Sequence, residues 1–425
     1  MTYYFPPSGG AGVQRPAKWA KYLRQLGVEP VVLTVREGAY PHRDEAMVAD
    51  VVGIRVERTR APDPFGLYGA VTGRSRDEAV ADRSGRVGES AAFAERASRW
   101  VRGNVFVPDA RVGWVPFAIA RARRLHRETP FGAVLTTGPP HSVHLIGRHL
   151  QRALGLRWVA DFRDPWTEIH YVDALQRGAV ASRLDRRLEQ SVLDRADAVL
   201  TVSEPLRAAL ADRARSTVHV VRNGFDPDDF ASPPPPSDAG RFTIAYVGTL
   251  YGVPRALLDA VAACRRDGCE RMHLTVVGAA PPDFAPAVEA RGLAEAVTVR
   301  PPVAHDEAVR VMREASLLVL TIETGWSYAA GVVPGKTYEY LAVGRPVLGL
   351  GPEGDAADIL RETGAGEMLD PEATDEIASR LTEHYRAWER GAPREGARPD
   401  AISPYSRLAQ AGQVVDVLAA LAPEG

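Results

Sequence analysis

Short apolar runs alternate with amphipathic stretches along the chain. Val31–Val35 reads as a β-branched strand, preceded by an amphipathic helix from about Val13 to Leu26 that stops at Gly27. Ala133–Thr137 and Trp158–Phe162 read as similar buried strands, each ending in a polar or Gly/Pro-rich loop. Ala198–Val202 follows a long helix from about Ala181 to Arg195. The rhythm then restarts with strands at Thr243–Val247, Leu274–Val277, Val297–Arg300, Leu317–Ile322 and Pro346–Leu350. Strands that are apolar on both faces and separated by helices imply parallel sheets covered on both sides. The expected fold class is α/β, with two doubly wound, Rossmann-like domains.

The first domain is expected over residues 1–222 and the second over 241–401. Between them, 223–240, lie Asn223-Gly224-Phe225-Asp226-Pro227 and the four prolines Pro233–Pro236, which predict a stiff exposed linker. Residues 402–425 carry a helix of about Tyr405–Leu421 and are expected to pack back on the first domain. Residues from about 66 to 104 read as an inserted, partly helical excursion, because Arg74–Arg102 holds seven Arg and five acidic residues with few large apolar ones. Met1–Phe5 runs straight into Pro6-Pro7. Either the opening strand is clipped or its true start lies upstream.

A hydrophobic content of 45% with 25% charged residues excludes global disorder. Cys264 and Cys269 fit neither a redox pair nor a zinc site, and suggest a reducing compartment. The longest apolar run, Trp114–Ala120, is too short to span a bilayer, and no signal-peptide pattern opens the chain. A soluble, cytoplasmic protein is expected. The net charge of -2 conceals a balance of +10 over residues 1–222 and -12 over 223–425. Such a split suggests different partners for the two domains, or simply solvated surface charge. Lysine is rare: only Lys18, Lys21 and Lys336 occur among 52 basic residues.

Ser8-Gly9-Gly10-Ala11-Gly12 follows the first strand and opens the first helix. Its small residues let backbone N–H groups approach an anionic or hydroxylated ligand. Tyr3-Tyr4-Phe5-Pro6-Pro7-Ser8-Gly9-Gly10-Ala11-Gly12-Val13-Gln14-Arg15 resembles the opening of glycosyltransferases of the GT-B fold, in the family-4-like group. Val220-Val221-Arg222-Asn223-Gly224-Phe225-Asp226 resembles the segment leading into their second domain, and Tyr246-Val247-Gly248-Thr249-Leu250 the strand and loop that start it. The stretch from Gly335-Lys336-Thr337-Tyr338-Glu339 to Gly344-Arg345-Pro346-Val347 resembles their donor-binding helix. The resemblance spans nearly the whole chain in the right order. It implies two domains facing a cleft, transfer with retention from a nucleotide-sugar to an acceptor hydroxyl, and no metal or other cofactor.

On this resemblance the donor is bound by Gly248, Thr249, Arg255, Gly335, Lys336, Thr337 and Glu339. Lys336 and Glu339 lie three apart, on one face of a helix that begins after Pro334. That places a cation and a helix dipole near the phosphates, with a carboxylate one turn further in. Two departures stand out. A family Glu eight positions before Glu339 would fall at Gly331, so sugar recognition is expected elsewhere in Trp326–Pro334. Thr249 and Arg255 stand where the family commonly has an Arg and a Lys, which leaves Arg255 as the second diphosphate clamp.

In the first domain the Gly9, Gly10, Ala11, Gly12 loop and the ends of two strands are the expected acceptor side. There His141 and Asp164 are candidates to orient the acceptor, and with Arg255 and Lys336 they form the expected catalytic set. His144 reads as helix surface. Asp226, Asp228 and Asp229 sit in the linker and are not read as a metal site. Expected partners are the nucleotide-sugar and a small-molecule, glycan or lipid-linked acceptor, with no nucleic acid. Arg121, Arg123, Arg124 and Arg127 near Trp114-Val115-Pro116-Phe117, with the arginines of the excursion, leave two readings open: docking at the inner face of an anionic membrane, or a solvated face. Two alternatives to transfer also stay open, a GT-B sugar-nucleotide 2-epimerase and a catalytically silent sugar-nucleotide-binding module.

Overall fold

The computed structural model describes residues 1–36, 43–62, 100–169, 177–231 and 240–422. Most of the expected excursion, and Pro233–Pro236, lie outside these. The chain divides into two units: Met1–Arg222 together with Gln410–Gly425, and Asn223–Ala409.

The first unit opens with α1 (Ala11–Gln25), β1 (Val31–Val35) and β2 (Arg55–Thr59). It continues through α2 (Val115–Glu128), β3 (Ala133–Gly138), α3 (Ser142–Leu154), β4 (Arg157–Phe162), α4 (Ala179–Leu193), β5 (Ala198–Thr201), α5 (Glu204–Ala211) and β6 (Val218–Val220). Strands β3 to β6 form a parallel sheet in sequence order, and β1 pairs in parallel with β2. Met1–Phe5 runs between these two sheets: the Thr2 N–H donates to the Leu33 carbonyl at 3.2 Å and the Thr137 N–H to the Met1 carbonyl at 3.1 Å. Helices cover both faces. Trp114, Val143, Ile146, Trp158 and Phe162 fill one core, while Trp19, Tyr22, Val159 and Leu200 fill another. The C-terminal helix Arg407–Ala420 closes that second core with Ala411, Val414 and Val417.

The second unit holds β7 (Phe242–Val247), α6 (Arg255–Arg266), β8 (Met272–Val277), α7 (Phe284–Glu289), β9 (Val297–Arg300) and α8 (His305–Glu314). It ends with β10 (Leu317–Thr321), α9 (Gly335–Val343), β11 (Val347–Leu350), α10 (Asp355–Thr363), β12 (Gly366–Leu369) and α11 (Thr374–Glu389). Its strands make one parallel six-stranded sheet in the order β12-β11-β10-β7-β8-β9. The two-residue period of a strand explains why both faces are apolar. Phe242, Ile244, Leu317 and Val319 point into one core with Leu258 and Val261 of α6. Their neighbours Ala245, Leu318 and Leu320 point into the other, with Leu341 of α9 and Leu360 of α10. Each unit is thus the doubly wound α/β fold expected. The strands that the hydrophobic pattern missed are β2, β6 and β12. Two of them, Arg-Val-Glu-Arg-Thr and Gly-Glu-Met-Leu, carry charges that interrupt the apolar run.

Candidate functional site

In a parallel sheet with crossover helices, ligands bind beyond the carboxyl ends of the strands. In the second unit β7 ends there at Gly248, and α9 begins beside it. Pro334 stands just before the helix, and its carbonyl accepts from the Thr337 N–H at 2.9 Å in the first turn. Gly344, at φ 71, stops it: its N–H reaches back to the carbonyls of Tyr340 at 3.3 Å and Leu341 at 3.1 Å. The Val247 N–H donates to the Tyr340 hydroxyl at 3.1 Å, which fixes α9 against β7.

Lys336, the second residue of α9, turns its amine over the Tyr246 ring, 3.8 Å from the centroid. Gly248 must be glycine for two reasons. Its φ is +124, and a Cβ there would lie 2.8 Å from the Lys336 amine. Burial lowers the Lys336 pKa from 10.5 to about 7, with Glu339 opposing the shift weakly. Among the described residues Lys336 joins no salt bridge; its amine rests on an aromatic face, and Glu339 acts on it only as an unpaired neighbouring charge. Next to it the buried Thr337 hydroxyl has no hydrogen-bond partner among the described residues. Glu339 does not pair with Lys336. It sits where His305, Asp229 and Arg407 act on it, and burial raises its pKa.

The remaining donor candidates are placed less centrally. Thr249 is exposed and its carbonyl accepts from the Tyr246 hydroxyl at 2.7 Å. Gly335 is the exposed first residue of α9. Arg255 opens α6 and reaches Asp283 at 3.4 Å, both side chains more than half exposed. Gly331 closes a short turn, Ala329–Gly331, behind the stacked rings of Trp326 and Tyr328. Glu323, outside the stretch from which sugar recognition was expected, turns its carboxylate toward Gly252, 3.4 Å from where a Cβ would stand. Among the described residues it has no ion pair. No group of three His, Cys, Asp or Glu suited to a metal occurs among the described residues. Asp226 instead caps the turn Pro227–Phe230 by accepting from the Asp228 N–H at 3.1 Å, and Asp229 faces His305 at 3.1 Å.

The strand ends of the first unit are built differently. Asp161 at the end of β4 is fully buried and accepts from Arg15 of α1 at 3.1 and 2.8 Å and from the Thr137 hydroxyl at 2.7 Å. Arg163 gathers three carbonyls: Gly138 at 2.9 Å, Pro139 at 2.7 Å, and Gly12. It thereby ties the Gly9–Gly12 loop to the end of β3. His141 is the residue before α3; it is 5% exposed and stacks on Trp166 at 4.9 Å. Burial pushes its pKa well below the usual histidine value, so the imidazole is neutral. Asp164 is half-buried in the loop after β4.

His144 corrects the surface reading. It is fully buried, stacks on Phe162 at 4.7 Å, and pairs its Nδ1 with the Thr136 hydroxyl at 2.9 Å. Burial lowers its pKa to about 3. Gly138 lacks a side chain because the two histidines occupy its space, the His144 Nε2 lying 2.8 Å from a Cβ built there. The basic cluster on α2 is also partly neutralised: Arg121 pairs with Glu57 at 2.7 Å and Arg124 with Glu128 at 2.7 Å. Arg123 and Arg127 have no carboxylate partner among the described residues. No helix among the described residues is long and apolar enough to cross a membrane.

Two doubly wound units, one presenting a lysine and a helix start at its strand ends, define the class of α/β protein. Residues 71–229 match the model of Glycosyltransferase Family 4, and residues 241–386 that of Glycosyl transferases group 1. The chain is a glycosyltransferase of the GT-B fold. Solved structures agree on the fold at low identity. Anabaena HepE, solved with UDP-glucose, is 15% identical with a TM-score of 0.62, over 99% of each chain. Sucrose-phosphate synthase from Thermosynechococcus elongatus is 14% identical with a TM-score of 0.57, over 95% of this chain and 92% of its own. WaaG, a glycosyltransferase involved in lipopolysaccharide biosynthesis, is 15% identical with a TM-score of 0.53, over 100% of this chain and 98% of its own. No curated protein sequence matches significantly.

Proposed function

We propose that the enzyme takes a sugar from a nucleotide donor bound by the second unit and passes it, with retention and without a resident metal, to an acceptor hydroxyl recognised by the first. The observation that supports this most is Lys336: a lysine held at a helix start over Tyr246, in no salt bridge among the described residues. A diphosphate supplies the missing charge and restores the protonated amine. The UDP-glucose bound to HepE supports a nucleotide-sugar of that kind.

In this reading the sugar C1–O bond breaks as negative charge collects on the departing diphosphate. Lys336, the first N–H groups of α9 and, released from Asp283, Arg255 receive that charge. Such stabilisation is electrostatic and strongest once water is excluded. Glu339 accepts from the ribose hydroxyls, while Glu323 is the carboxylate available to the sugar in place of one at position 331. The acceptor oxygen attacks from the face the diphosphate leaves, and its proton passes to the departing phosphate oxygen. His141, held neutral, and Asp164 orient the acceptor beside the Gly9–Gly12 loop.

A thermal-shift screen of nucleoside diphosphates and nucleotide-sugars tests the donor, because a ligand of the folded state raises apparent stability. NMR of the glycoside from the stabilising donor then reads the anomeric configuration, with and without EDTA. His141→Ala and Asp164→Ala should cut transfer strongly and leave donor affinity nearly intact. Loss of donor binding in a folded variant would break this division of labour. An epimer formed from the donor alone would favour the epimerase, and donor binding without turnover on a broad acceptor panel the silent module.

A further inference from the structure

A row of polar side chains crosses the interior of the first unit from β4 to α3. The Trp158 indole N–H donates to the Thr136 hydroxyl at 2.8 Å, and that hydroxyl stands 2.9 Å from His144 Nδ1. All three residues are fully buried. Two glycines make room for the row. A Cβ on Gly147, inside α3, would collide with the Trp158 indole nitrogen. One on Gly138 would lie 2.8 Å from His144 Nε2 and 3.2 Å from His141 Nδ1. Glycine in a helix interior costs stability relative to alanine, so α3 is weakened where the indole enters.

The donors and acceptors of the row fix its protons. An indole nitrogen only donates, so the Thr136 hydroxyl accepts from Trp158 and has its single hydrogen left to give. The Val159 carbonyl is 3.5 Å away and His144 Nδ1 is 2.9 Å away, so the hydrogen goes to the histidine. His144 Nδ1 is then an acceptor, and the neutral ring carries its proton on Nε2. That N–H is buried and has no hydrogen-bond partner among the described residues. A buried donor left unpaired costs stability, which a purely structural row would avoid. This one ends at Gly138, where His141 Nδ1 also lies. Stacking at 10° on Trp166 and on Phe162 keeps His141 and His144 from turning.

We infer, on the reading that His141 orients the acceptor, that His144 is a positioning residue for it: the Nε2–H fixed by Thr136 and Trp158 keeps the lone pair of His141 on Nδ1 and its proton on Nε2. The positive end of an N–H dipole beside Nδ1 favours a lone pair there and opposes a second hydrogen. His141 therefore meets the acceptor oxygen as a hydrogen-bond donor and takes no proton from it. The Pro165 carbonyl favours a proton on the same ring without closing a hydrogen bond to it. An acceptor hydroxyl held by a donated bond keeps its own hydrogen free for the departing phosphate oxygen. Without His144 the two tautomers of His141 would compete, and one of them offers the acceptor a bare nitrogen.

Long-range proton–nitrogen NMR of the ligand-free chain, labelled on histidine and assigned by single substitutions, reads the tautomers directly. Both rings should be neutral with the proton on Nε2, and His144 Nδ1 should show the shift of a hydrogen-bonded acceptor. Thr136→Val should leave mixed tautomers at both rings, and Thr136→Ser should restore the wild-type pattern. Trp158→Phe should also mix them, because the freed hydroxyl can accept from His144 instead. In transfer assays Thr136→Val should raise the acceptor KM about tenfold, the weight of one hydrogen bond, with the donor KM unchanged. A proton on Nδ1 of either histidine in the wild-type chain overturns the assignment, and that measurement needs no variant to fold. So does a single Nε2–H tautomer of His141 that persists in folded Thr136→Val. Because the spectra need no substrate, normal transfer by His141→Ala would overturn the acceptor reading separately.

Discussion

The strand ends of the two units put buried charge to opposite uses. Among the described residues of the first unit the buried cations are bound to the protein itself: Arg15 to Asp161, Lys18 to Asp50, Arg177 to Asp185, Arg163 to three carbonyls. In the second unit Lys336 lies half-buried over a ring and joins no salt bridge among the described residues. A satisfied buried cation builds structure; an unsatisfied one costs stability until a ligand arrives. On the proposed reading, the difference separates a scaffold for loops from a receptor for an anion.

The sharpest way to break this comparison is to unpair Arg15. Arg15→Met should destabilise the first unit by about 3–5 kcal/mol, because Asp161 stays buried without its guanidinium. Replacing both residues, as in Arg15→Met with Asp161→Leu, should recover most of that loss in urea unfolding. A cost near zero for the single variant would show that the pair carries no structural weight. Lys336→Ala should behave in the opposite way. Folding stability should hold or rise slightly, while nucleoside-diphosphate affinity falls by roughly 1.5–3 kcal/mol, as for a charge-assisted contact. Unchanged diphosphate affinity in calorimetry would remove Lys336 from the site.

Proton linkage sharpens the same contrast. Lys336 has a folded pKa near 7 against 10.5 unfolded, so the unfolded chain binds more protons between those values. Stability of the second unit should therefore rise with pH across that window, and Lys336→Met should flatten the rise. Diphosphate binding needs the charged amine, so affinity should fall as pH rises above 7 while stability climbs. In the first unit His144 is held neutral down to about pH 3 but titrates near 6.5 when unfolded. That unit should lose stability as pH falls below about 6.5. Urea midpoints against pH, with a probe for each unit, check both slopes. The smallest expected effect concerns membranes. Arg123 and Arg127 offer about 1 kcal/mol each near an anionic surface, too little for stable anchoring. Anionic vesicles at low salt should therefore retain the protein only if the arginines of the excursion add to these two, and no retention, or equal retention on neutral lipid, would remove the docking reading.

Much of this was legible in the sequence, but unevenly. Apart from β2, β6 and β12, the strands of both units stand out as apolar runs, and Lys336 stands out because lysine is so scarce. What stayed hidden depends on distant partners. Arg15 and Asp161 are 146 residues apart, and although Asp161 lies in a strand read as buried, nothing local marks Arg15 as its partner. His144 shares its helix with polar residues such as Arg148 and Arg152, so the pattern read it as surface; its burial comes from Phe162 on the next strand. The role of Tyr246 as a seat for Lys336 was equally invisible, since a strand tyrosine normally reads as core. Glu323 stays hidden because it lies ahead of Trp326–Pro334, the stretch that the helix Glu spacing points to.

The three carbonyls that converge on Arg163 come from two segments that are far apart in sequence, the Gly9–Gly12 loop and the Gly138-Pro139 corner. One planar side chain with several fixed donors serves both, a geometry that a lysine cannot copy. For anyone reshaping acceptor choice by exchanging loops, these segments are therefore a single interchangeable part. A Gly9–Gly12 loop grafted from a relative will sit correctly only if the corner and the arginine travel with it. Variation in acceptor should accordingly arise in blocks, and single changes in either segment should first appear as loss of order rather than as a new preference.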